Sequence, residues 1–160
     1  MKIKNNLNVW KYKDYYPWYR PDKKIAGFFR RYKWAWQRAK YGFCDRDLWN
    51  LDYTLGNYIA NTVSQLAKTT HGYPHGITED KWTEILNGIA KDFYLGTDDS
   101  LYKNEYEDKI NSNVYSLCFK SNKDLWKKYS ERELEIANVM SAHRCNGFKE
   151  LAKWFPHLWD

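Results

Sequence analysis

Apolar residues recur along this chain at steps of three and four, the period of a helix that buries one face. From Asp45, whose carboxylate can cap free backbone N–H groups, Leu48, Leu51, Leu55, Ile59, Val63 and Leu66 form one such stripe. A second opens at Thr78, a capping residue followed by Glu79 and Asp80 in the first turn, and runs through Trp82, Ile85, Leu86, Ile89 and Phe93 to a stop at Gly96. The stretch from His71 to Ile77 between them holds two glycines and a proline, so neither helix runs through it. Two stripes joined by a short loop predict an antiparallel pair.

The same pattern sets further helices around that pair. Pro21 and Asp22 introduce one that runs to about Lys40, with Ile25, Phe28, Phe29, Tyr32, Trp36 and Ala39 on the side expected to join the core. Tyr106, Ile110, Val114 and Leu117 predict a helix that breaks or bends at Ser121 to Lys123. From Leu125, Trp126 and Tyr129 a periodic stretch passes through Leu134, Ile136, Val139 and Met140 to Phe148, Leu151 and Phe155. It reads as one long helix, or two with a bend near Asn146 and Gly147, ended by Pro156. The expectation is all-α: a single-domain bundle of about five helices over residues 22–160, preceded by an extended aromatic arm over residues 1–21, where Pro17 and Pro21 bar a continuous helix. Leu51, Leu55, Ile59, Trp82, Ile85, Ile89 and Leu151 are its expected core.

Three segments also carry a resemblance. YGFCDRDLWNLDYTLGNYI from Tyr41, HGYPHGITEDKWTEIL from His71 and ELAKWFPHLWD from Glu150 resemble a family of small proteins carried by bacteriophages and prophages. The likeness covers most of the chain from Tyr41 onward and is least over Tyr102 to Arg144 and in the N-terminal third. It implies a genetic context and an accessory role, and no particular reaction. Cys44 stands where a helix-capping serine would be expected.

Charge changes the picture more than composition does. Residues 1–43 hold twelve Lys and Arg against Asp14 and Asp22, a net +10, and the remainder holds fourteen basic and eighteen acidic residues, a net −4, which together give the +6 of the chain. A phosphate-bearing partner is therefore expected at the N-terminal third. At 160 residues one core can form without metals or disulfides, and 19% aromatic residues exceed what one small core absorbs, so some should lie at the surface or between copies. Homo-oligomers are expected on that ground. Cys44, Cys118 and Cys145 lack metal-ligand spacing, which fits a reducing cytoplasm. Nothing resembles a signal peptide or a membrane span, and no cofactor or membrane partner is expected.

The candidate chemistry sits on the Pro21 to Lys40 helix. At 100° per residue, Arg30, Arg31, Trp34 and Arg38 fall opposite the expected core side, so that Trp34 has an arginine one turn before it and another one turn after. A tryptophan set among guanidinium groups suits a ligand with a base and a phosphate. The His71, Tyr73 and His75 loop, at a helix N-terminus, is a second candidate for an anion. Asp45, Asp47 and Asp52 do not converge on one ion and read as cap, dipole partner and a tie to the arginine-rich helix. Three functions follow from these features. The first is a non-enzymatic phage protein that sequesters a nucleotide-type immune signal. The second is a nucleic-acid-binding or protein-binding inhibitor of a host defence nuclease. The third is a nucleotide-processing enzyme using His71, His75 or His143.

Overall fold

The computed structural model describes residues 21–114 and 123–158, and every regular element among them is helical. They are α1 (Pro21–Tyr41), α2 (Asp45–Trp49), α3 (Leu51–Thr69), α4 (Glu79–Thr97), α5 (Glu107–Val114) and α6 (Lys123–Trp154), with single 3-10 turns at Asp99–Leu101 and Phe155–His157. The all-α expectation holds. Six helices stand where about five were expected because the one predicted from Asp45 is two: Asn50, at φ −129 and ψ 70, leaves the helical region between α2 and α3. Asparagine competes for backbone hydrogen bonds and is a poor helix former, so a change of direction costs least there. The N-terminal arm and residues 115–122 lie outside the described residues.

Helix α4 is the centre, packed between α3 on one side and α6 on the other. Its Trp82, Leu86, Ile89, Ala90, Phe93 and Tyr94 are all buried, and Ile85 packs at the edge of the cluster. The loop before α4 ends as expected, with the Lys81 backbone N–H donating to the Thr78 hydroxyl at 3.4 Å. Gly96 does not stop the helix, which runs on to Thr97. Its role is close approach: a β-carbon there would stand 2.6 Å from Arg144 Cγ and 2.9 Å from the Arg144 backbone nitrogen of α6. Gly147 does the same in reverse, its place for a β-carbon lying 3.1 Å from the Phe93 ring. Gly147 therefore packs α6 onto α4, and α6 runs through it as one helix of 32 residues.

The apolar stripe of α3 departs from expectation. Leu51 and Leu55 remain 55% and 44% exposed; Val63 of the expected stripe is buried, but with Ala60 and Ala67 beside it, flanked by Gly56, Asn57 and Ser64. On the helical wheel that face is turned roughly 120° from the leucine stripe. The reason is volume. Helix α4 presents its large side chains inward, and a facing helix fits at close distance only with its small residues. Ile59 and Leu66, at the border of both faces, are partly buried against the cluster, as is Leu151. Edge-on contacts of Trp154 with Trp82 at 5.5 Å and of Phe148 with Phe93 at 4.8 Å extend the core along α6.

Candidate binding face of helices α1 to α3

Helix α1 docks on α2 through charge. The Asp45 carboxylate accepts hydrogen bonds from Lys33 Nζ and Gln37 Nε2, each at 2.8 Å, and the contact with Lys33, then that with Gln37, holds its pKa below the usual carboxylate range. Asp47, only 2% exposed, accepts Arg38 Nε at 2.8 Å and Arg38 Nη2 in a forked ion pair. It also accepts the Cys44 backbone N–H at 2.8 Å, while its own N–H donates to the Cys44 carbonyl at 2.9 Å. Cys44 thus takes the cap position expected of a serine. Burial and the neighbouring Asp47 carboxylate raise the pKa of its thiol, which keeps it neutral. Asp45 and Asp47 thus make the tie to the arginine-rich helix, whereas Asp45 is not the cap and Asp52 pairs with Arg144 of α6 at 3.7 Å.

This docking inverts α1. Its polar edge faces the protein, and the face expected to be core is turned outward: Phe29 is 66% exposed, Tyr32 63% and Trp36 52%, with Phe28 and Ala39 exposed as well. The two aspartates fix which edge of α1 lies inward, and hydrophobic contrast along the helix does not decide it. Arg38 is consequently not a solvent-facing group. Its side chain is 19% exposed and two of its nitrogens are engaged by Asp47. Arg30, Arg31 and Trp34 are half-buried on the same side, with the Arg30 guanidinium 5.9 Å from the centre of the Trp34 ring.

Where α1 ends against α2 and α3, a groove of about 390 Å³ opens. Its walls are Phe43, Leu48, Leu51, Leu55 and Tyr58, and Arg38 and Asp47 line it as well. Sequence reasoning missed it because it took the leucine stripe for core. One signal was available: Gly56, Ala60, Ser64 and Ala67 recur beside that stripe, and a small-residue ridge at helical spacing competes for the packed face.

The remaining candidates lie elsewhere. His71, Tyr73 and His75 are exposed in the loop after α3, at the opposite end of that helix from Asp47. Nineteen residues make α3 about 28 Å long, so the loop and Arg38 do not share a site. His143 Nδ1 lies 2.8 Å from Asp92 and ties α6 to α4. A polar hollow of about 500 Å³ beside α5 is crossed by Asn104, whose amide donates to Glu133 at 2.8 Å and to the Tyr129 carbonyl at 3.2 Å. Among the described residues no group of three His, Cys, Asp or Glu is placed to hold a metal ion, and no helix is long and apolar enough to cross a membrane. The chain matches no protein-family model, no curated protein and no solved structure.

Proposed function

We propose that this is a non-catalytic binding protein, a phage accessory factor that captures a nucleotide-type immune signal in the host cytoplasm along the inward edge of α1. The observation that carries the reading is the Arg30 guanidinium set 5.9 Å from the Trp34 ring, with Arg31 in the same arc of the helix. An indole face stacks a base for about 1 to 3 kcal/mol, and arginines take phosphate through parallel hydrogen bonds. Arg38 has a different part. Its bond to Asp47 fixes the edge by which α1 lies against α2, and that is the edge that carries Arg30, Arg31 and Trp34.

The test is to incubate the protein with cyclic and ADP-ribose-type nucleotides, remove the excess, denature by heat and identify what is released. Release of an intact nucleotide is the expected result. An altered product indicates an enzyme and overturns the non-catalytic reading. Retention of no nucleotide, with binding to DNA or RNA that weakens steeply as salt rises, transfers the same edge to a nucleic-acid inhibitor. Trp34→Ala and the paired change Arg30→Ala with Arg31→Ala should each weaken retention by about tenfold or more. Melting curves of both variants separate loss of binding from loss of fold.

A further inference from the structure

The outward face of α1 and the groove are complementary surfaces on one chain, and neither is needed by the α4 core. The first is convex and aromatic, with Phe29, Tyr32 and Trp36 each more than half exposed. The second is concave and apolar, with Phe43, Leu48, Leu51, Leu55 and Tyr58 as walls. We infer that the chain forms a two-fold dimer in which the aromatic face of α1 from each copy seats in the groove of the other.

Area, charge and symmetry point to a second copy as the occupant. Eight side chains that leave roughly half of their surface open, at about 150 to 250 Å² for a whole aromatic, offer on the order of 800 Å² per copy, which is what one partner contributes to a stable interface. A monomer seldom keeps more than about 300 to 600 Å² of apolar patch in water. Charge then selects the pairing. Helix α1 carries seven basic residues and Asp22, a net +6, so packing α1 against α1 sets like charges together. The segment from Cys44 to Tyr58 carries Asp45, Asp47, Asp52 and Arg46, a net −2, so packing α1 against α2 and α3 sets opposite charges together. The arrangement is also closed: each copy gives one helix face and receives one, as a two-fold axis requires.

The experiment is sedimentation of the full chain from micromolar to tens of micromolar concentration, with one charge placed in each surface. Wild type should approach twice the 19.4 kDa of one chain. Phe29→Glu and Leu55→Glu should each weaken the dimer by roughly thirtyfold or more. Leu134→Glu, on the exposed side of α6, should leave it intact. Mixing the two variants should give a mixed pair tighter than either variant alone and looser than wild type, because the intact α1 of the Leu55→Glu chain meets the intact groove of the Phe29→Glu chain and the other contact carries both glutamates. If Leu55→Glu loses helicity by circular dichroism, Leu51→Glu on the same stripe takes its place. A wild type that stays monomeric overturns the inference, and so does a dimer that survives both variants. Loss of the dimer in Phe29→Glu alone indicates α1 against α1, and loss in Leu134→Glu indicates α6; either result overturns it too.

Discussion

Around α4 the helices meet through shape, and beside α2 they meet through charge. In the first region a glycine on each of α4 and α6 lets large side chains or backbone close in, and Trp82, Leu86 and Phe93 lie against the small face of α3. Such packing works by many short contacts, each worth little, and buries Trp82, Leu86, Ile89 and Phe93 of α4 almost completely. In the second region three side chains of α1 reach two aspartates, and apolar residues on both sides of that contact stay open. A few hydrogen bonds to a buried carboxylate can fix the edge by which a helix docks. They bury little surface, so they orient α1 without making a second core.

The comparison breaks first at its strong end. Phe93→Ala should cost about 3 to 5 kcal/mol in thermal or denaturant unfolding, since the ring is buried against both Gly147 and Phe148 and its neighbours relax only partly. A cost near zero would mean that α4 is not the centre. Asp47→Ala should come next, at about 2 to 3 kcal/mol, because it strips Arg38 and the Cys44 N–H of one shared acceptor, although Arg38 keeps some access to water. A double-mutant cycle with Arg38→Ala should return a coupling of about 1 to 3 kcal/mol. Additive costs would show that the pair does not hold α1.

Leu51→Ala sharpens the difference between the two regions further down the scale. In a monomer it should cost well under the roughly 2 to 5 kcal/mol expected of Leu86→Ala, although both leucines belong to periodic stripes of the same kind. That contrast marks the limit of what periodicity reveals. The fold class, the Thr78 cap, the α4 stripe and the stop at Pro156 were legible because each is decided locally, by spacing or by a capping or breaking residue. Which face of α3 turns inward is decided by the partner, and the large residues of α4 select Ala60 and Ala67 over Leu51 and Leu55. The face of α1 was misread for the same reason: Asp47 is nine residues beyond Arg38, and nothing within α1 announces that its polar edge will be held inward. The candidate site was legible as residue types and spacing. Arg30 and Trp34 do meet, whereas Arg38 and the His71 to His75 loop are placed by tertiary contacts that spacing does not encode.

The weakest tie in the charged region should show itself in acid. Asp45 and Lys33 form an ion pair with both side chains more than half exposed, so its worth is small and falls as salt rises. The folded protein holds the Asp45 pKa below its ordinary value of 3.8, chiefly through the hydrogen bond from Lys33 and then that from Gln37. A lowered pKa means that the unfolded chain binds the proton more readily than the folded one. The contribution is therefore fully present above the ordinary carboxylate pKa, is level through neutral pH, and is lost as pH falls through the folded value. Asp45→Asn, measured against wild type, should melt slightly lower at neutral pH, with a difference that shrinks as the pH is taken below about 4 and that also shrinks when salt is raised at neutral pH. A difference that persists unchanged in acid would place the effect of Asp45 in the backbone geometry of the α1 to α2 turn, and the docking of α1 would then rest on Arg38 and Asp47 alone.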